Sequence, residues 1–163
     1  MPARLLFDTE GINLENEVIS REEIESYNPQ RFEFQQVTRV CYFDPDEKII
    51  VAVREIKADE FWVRGHMPGR PIFPGILMIE SAAQLCSICS CKLAGRRQFG
   101  FGGADSVRFR KILTVGDHLI IVGKIENLTK RRSRCKAQGL LNGDVVFEAS
   151  VFGVALPPTG ASL

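Results

Sequence analysis

Two histidines among 163 residues leave this chain few imidazoles, the side chains that exchange protons most readily near neutral pH. Net charge is small too: 21 Lys and Arg against 20 Asp and Glu leave a formal +1, which excludes the overall positive field of a general nucleic-acid binder. No internal repeat, low-complexity tract or linker divides the chain, so its length makes one domain with an ordinary core. Cysteine is present but in odd number: Cys41, Cys86, Cys89, Cys91 and Cys135. Cys86 and Cys89 face one way on a helix, yet a structural zinc site needs four converging ligands and no second pair exists. The five are therefore expected to be reduced core residues, with no metal and no cofactor. The first twenty residues also lack the basic, apolar and cleavable order of a secretory leader, and the expectation is a soluble, cytoplasmic protein.

What the chain does have is concentrated between Gly65 and Gln84. Pro68, Gly69, Pro71, Pro74 and Gly75 forbid a regular helix or a central strand there, so residues 65–75 read as an ordered loop. From 76 to 94 neither proline nor glycine intervenes, and the apolar residues cover most of the helical circumference, which predicts a helix buried nearly all round and ended by Gly95. Its length would suit a membrane span, but Glu80, Gln84 and Lys92 favour a protein core.

Glu80 is the only carboxylate between Glu60 and Asp105, and with Gln84 four residues on it draws a polar line along that apolar helix. A carboxyl in such a place is either paired with a cation or kept as a proton donor. His66 has its own two readings, a turn histidine bonded to backbone or a general base. The helix that opens at Gly75 and Ile76 adds unpaired amides suited to a developing oxyanion. Acid, base and anion site then come from one segment.

His66-Met-Pro-Gly-Arg-Pro-Ile-Phe-Pro-Gly-Ile-Leu-Met-Ile-Glu80 resembles the signature of the β-hydroxyacyl-acyl-carrier-protein dehydratases of the FabZ type, which have the hot-dog fold. Phe101-Gly-Gly-Ala-Asp-Ser-Val-Arg-Phe-Arg-Lys111, Val115-Gly116-Asp117 and Pro29-Gln-Arg-Phe-Glu-Phe34 extend the likeness over residues 22–156. Four places depart from the family pattern. Gln30 stands where the family usually has His, Glu33 where it has Pro, Met67 where it has Phe, and Ile112-Leu-Thr114 replaces a proline-rich run. Glu rather than Asp at position 80 is the choice of the FabZ type over the related dehydratase/isomerase.

The resemblance implies dehydration of a (3R)-3-hydroxyacyl thioester to the trans-2-enoyl thioester in fatty-acid biosynthesis. In that scheme His66 takes the C2 proton, Glu80 protonates the departing hydroxyl, and the Gly75 amide, with Ile76 at the helix end, holds the thioester oxygen. Gln84 orients the carboxylate. The family builds each site from two subunits, which implies a homodimer, with a trimer of dimers as a further possibility. It also docks an acidic acyl carrier protein on basic residues, for which Arg110, Lys111, Arg131 and Arg132 are the candidates here. A hot-dog acyl thioesterase and a non-catalytic acyl-binding subunit are the alternative functions.

Outside the motif, residues 38–43 and 49–56 read as two strands joined through Asp44-Pro45-Asp46, and 117–126, 132–141 and 145–156 as three longer ones, with Asn142-Gly143 a hairpin turn. One apolar helix and an antiparallel sheet make an α+β hot-dog fold in which the curled sheet wraps the long helix. The expected division is an extension or edge segment over 1–21, a single domain over 22–156 and a tail over 157–163.

Overall fold

The computed structural model describes residues 3–95 and 97–157. A short helix α1 (Arg21–Tyr27) leads through a single 3-10 turn (Phe32–Phe34) into strands β1 (Arg39–Asp44) and β2 (Ile49–Glu55). The long helix α2 (Gly75–Leu93) and strands β3 (Phe99–Phe109), β4 (His118–Leu128), β5 (Arg132–Leu141) and β6 (Asp144–Ala155) follow. The strands form one antiparallel sheet in the order β1-β2-β4-β5-β6-β3. This curled sheet around one central helix is the hot-dog arrangement.

Local chemistry accounts for the boundaries. Ser20 caps α1 by accepting from the Glu23 amide, a start the sequence reading did not single out. Asn142 (φ 51°) and Gly143 (φ 83°) make the tight turn that opposes Leu141 to Asp144, as their residue types require. Gly139 leaves room for Phe147, whose ring atoms lie 2.3 Å from where a Cβ would stand. β3 has no counterpart among the five strands read from the sequence. Three glycines and two breaks in register, at Phe101/Gly103 and Asp105/Arg108, hide its alternation.

The core lies between the concave sheet face and α2, where Leu85, Ile88, Leu119, Ile121 and Phe147 are fully buried. Burying one such side chain contributes about 1.5–3 kcal/mol. Among the described residues α2 is the one helix long and apolar enough to cross a membrane, and 61% of that stretch is buried inside the fold. The expectation that the helix is covered on every side needs correcting. Ile76 is 75% exposed, and Glu80, Ala83 and Ser87 are half-buried, so a stripe at helical spacing stays open beside β3. Six strands from one chain do not reach around it.

On the convex face, Leu6, Phe7, Ile12 and Leu14 pack over Val51, Val53, Val122 and Leu140. The Leu6 amide donates to Gln138 Oε1 (2.7 Å) and Gln138 Nε2 to the Arg4 carbonyl (2.9 Å), so residues 4–7 lie across the sheet rather than along its edge. Beyond Pro157, the expected tail falls outside the described residues. The cysteine reading also needs a correction. Cys86 on α2 and Cys135 on β5 face each other across the core with their Cα atoms 6.1 Å apart, and their sulfurs are joined in a disulfide. Cys41, Cys89 and Cys91 are free and buried; burial, and then the neighbouring Cys91, push the Cys89 thiol up to about 12.

Candidate active site

Glu80 projects from the first half of α2 into a cavity of about 110 Å³ between the helix and strands β3, β5 and β6. Gln84, one turn further and 3% exposed, fixes it: Nε2 donates to Glu80 Oε1 (2.7 Å) and to the Phe34 carbonyl (2.5 Å), while Oε1 accepts from the Gln36 amide (2.8 Å). All the hydrogen-bonding groups of this buried amide are in use, so it has one orientation and holds one oxygen of the carboxyl group. Asn28 adds a bond from Nδ2 to the Gln84 carbonyl (3.0 Å). The sequence reading gave Gln84 its supporting role but missed Phe34, Gln36 and Asn28, which act largely through backbone groups that leave no signature.

His66 stands elsewhere, on the exposed loop before α2, and does not line the Glu80 cavity. Its Nδ1 lies 2.7 Å from the Ile72 carbonyl. A carbonyl only accepts, so Nδ1 is the donor in this contact and Nε2 is the ring nitrogen left to exchange a proton with a substrate. The loop is closed by bonds between Met67 and Arg70 in both directions and from the Ile72 amide to the His66 carbonyl (2.9 Å); the His66–Met67 peptide is cis.

That loop is moored to β2. The His66 amide donates to the Trp62 carbonyl (2.8 Å), Trp62 Nε1 to Glu60 Oε2 (2.8 Å), and Arg54 Nη1 to Glu60 Oε1 (2.9 Å). Trp62 packs edge-on against Phe73, whose amide donates to the Leu113 carbonyl (2.8 Å), and the Arg54 guanidinium lies 5.3 Å over the same ring. Burial pushes the Glu60 carboxyl up, but hydrogen bonds from Arg54, the Lys57 amide and Trp62 outweigh it and hold Glu60 below the usual carboxylate range. None of these anchors was singled out from sequence. A buried Arg within a run of strand apolars was the available signal.

The amino end of α2 is open. The Leu77 and Met78 amides both donate to the Pro74 carbonyl, whereas the Gly75 and Ile76 amides have no backbone acceptor among the described residues. The Phe109 ring presses on Gly75, within 2.9 Å of where a Cβ would stand, so this position admits only glycine without displacement. These two amides are suited to hold a developing negative oxygen.

The four basic candidates separate into two groups. Arg110 and Lys111 follow Phe109 beside the helix amino end, where they pair with Glu148 (2.6 Å) and Asp144 (2.5 Å). Arg131 and Arg132 sit at the far end of the β5–β6 pairing, next to Val154 and Ala155, with no carboxylate within 4 Å among the described residues. Within one chain the structure therefore assembles Glu80 with Gln84, and Gly75 with Ile76, but not His66 with Glu80.

The family model of the FabA-like domain matches residues 28–150. The 3-hydroxyacyl-acyl-carrier-protein dehydratase FabZ of Escherichia coli O9:H4 (strain HS) is 36% identical over 134 residues, covering 80% of this chain and 88% of that protein. FabZ of Shigella boydii serotype 18 (strain CDC 3083-94 / BS512) matches to the same extent. Among solved structures, the dehydratase heterocomplex ApeI:P from Xenorhabdus doucetiae superposes with a TM-score of 0.70 at 16% identity, over 83% of this chain and 92% of that one. Zebra fish thioesterase superfamily member 2 gives 0.64 at 8% identity over 83% and 94%; at such identities the likeness is one of fold. By the extent of the domain match and the identity to these relatives, the chain belongs to the FabA-like family and has its hot-dog fold.

Proposed function

We propose that this chain removes water from (3R)-3-hydroxyacyl thioesters carried on acyl carrier protein, giving trans-2-enoyl thioesters in fatty-acid biosynthesis. The observation that carries the proposal is the 36% identity to FabZ dehydratases over four-fifths of the chain, with a Glu80 held by Gln84 at the wall of a cavity. His66 Nε2 takes the C2 proton; the C–H electrons form the C2–C3 double bond; the C3–O bond breaks, and Glu80 gives its proton to the leaving hydroxyl to release water. The Gly75 and Ile76 amides carry the negative charge that develops on the thioester oxygen.

One chain does not complete this site, and we propose that a second copy does. β3 is an edge strand of eleven residues that among the described residues pairs only with β6, and it carries the exposed rings of Phe101 (58% exposed) and Phe109. Such an edge is a template for strand pairing, and pairing β3 with its copy would bring the partner's loop to the Glu80 cavity. Arg110 and Lys111, flanking the helix amino end, are the basic residues we assign to the carrier protein; Arg131 and Arg132 at the opposite end are the weaker assignment. We assign the protein to solution in the cytoplasm, a reading supported by its identity to the FabZ dehydratases.

The test follows the enoyl-thioester absorbance of the purified chain supplied with 3-hydroxyacyl thioesters, with a thiol reagent in a parallel reaction. Enoyl product without free thiol is expected. Free thiol without enoyl product establishes a thioesterase instead, and retention of added enoyl thioester with no turnover establishes an acyl-binding subunit.

A further inference from the structure

The cavity that receives Glu80 is lined mostly by apolar groups such as Phe99, Phe101, Val151 and Leu156, yet its helix wall carries polar side chains well past the point where dehydration needs one. Along α2 its wall runs Glu80, Gln84, Ser87, Ser90, a single face of the helix, and about 15 Å of helix separates the first from the last. From the sheet side Ser133 of β5 meets Ser90, Oγ to Oγ, at 2.7 Å, with both residues buried. Each hydroxyl owns one proton, and one proton makes the bond between them. The other has no acceptor among the described residues. Ser90 does not return it to its own helix as Ser81 does, whose Oγ donates to the Leu77 carbonyl four residues back (2.7 Å). Ser87 is scarcely better served, with the Phe99 carbonyl at 3.5 Å and Cys91 Sγ at 3.9 Å. Gln30 Oε1, on the same cavity, is buried without any donor.

An alkyl chain laid along this wall would leave that hydroxyl proton and that amide oxygen unpaired in an apolar medium, which is the costly state for a polar group. A tunnel for saturated chains is served better by alanine at both serine positions. We propose that the acyl chain taken by this cavity carries a second oxygen, a hydroxyl or keto group remote from the thioester, and that the Ser90–Ser133 pair donates to it. The inference rests on the dehydratase reading of the site and names its substrate class.

The experiment uses the full chain and two series of 3-hydroxyacyl-N-acetylcysteamine thioesters of graded length, one with plain alkyl chains and one with a terminal hydroxyl. At the length that reaches Ser90, the hydroxylated chain is expected to have a kcat/KM about 10-fold or more above its plain counterpart, since a site built to bond a hydroxyl discriminates strongly against the analogue lacking it. In Ser90→Ala/Ser133→Ala the ratio should fall to one or below. Equal or better turnover of the plain chain by the native protein, acceptance of short plain chains only, or a preference that survives the double substitution would each overturn the inference. Should the double variant fail to fold, the native ratio decides alone, and Ser133→Ala supplies the second measurement. Absence of water loss from every thioester sinks the dehydratase reading; water loss without the preference sinks only the substrate class.

Discussion

The two edges of the sheet are finished to different degrees. At β1 the chain seals its own border: the Val18 amide donates to the Val40 carbonyl (2.9 Å), Ile19 bridges Val40, and Arg39 reaches the Leu14 carbonyl (2.8 Å) while pairing with Glu15 and Glu55. At β3 nothing among the described residues pairs with the outer border, and Phe101 and Phe109 on the strand and Ile76 on α2 are exposed apolar residues. The proposed chemistry divides the same way. His66 is moored through Trp62 and Glu60 to β2, on the sealed side, whereas Glu80 opens toward β3. In the proposed dimer a copy of the same chain would cover that apolar border and complete the site.

The sharpest way to break that comparison is complementation. His66→Ala and Glu80→Gln should each lower kcat by about 10³-fold or more as pure proteins, the upper range for a positioned acid or base. Mixed, unfolded and refolded together, they should recover about a quarter of native activity, because half of the dimers are mixed and each of those keeps one intact site. No recovery, with mixed dimers demonstrated by mass, would mean that His66 and Glu80 serve separate sites. The open edge itself is tested by Phe101→Glu. A charge on this border should shift the protein to monomer in sedimentation and lower kcat by about 10²-fold. A fully active monomer would show that the sheet border has no part in the site.

How much of this was readable beforehand follows from which residues carry it. The motif from His66 to Glu80 announced its loop and helix because proline, glycine and an isolated acid are strong local signals, and the Asn142-Gly143 turn was equally plain. β3 was obscured because its bulges break the period of two on which strand reading depends. The open stripe on α2 was missed because an apolar helix reads the same whether its own sheet or another chain covers it. The Cys86–Cys135 pairing joins residues 49 apart in sequence, a distance over which no periodicity speaks. Arg54, Glu60 and Trp62 were missed because charge and aromatic content do not tell which of them will meet.

Those three residues provide the smallest test, on the sealed side. Glu60 accepts from Arg54, Trp62 and the Lys57 amide (2.7 Å) in a largely buried position, so Glu60→Gln leaves the Arg54 guanidinium without its counter-charge and should cost about 3 kcal/mol of stability near neutral pH. Since folding lowers the Glu60 carboxyl below its usual range, its contribution is fully present above the unfolded value, about 4.3, and is lost as pH falls through the lower folded value. The native melting temperature should therefore drop on acidification below about pH 4, and that part of the drop should be missing in Glu60→Gln. Because Trp62 also carries the His66 amide, kcat should fall by about 10-fold through a looser base while KM for the thioester holds. A variant that loses stability yet keeps native kcat would show that the mooring on β2 serves the fold alone and that the His66 loop keeps its place without it.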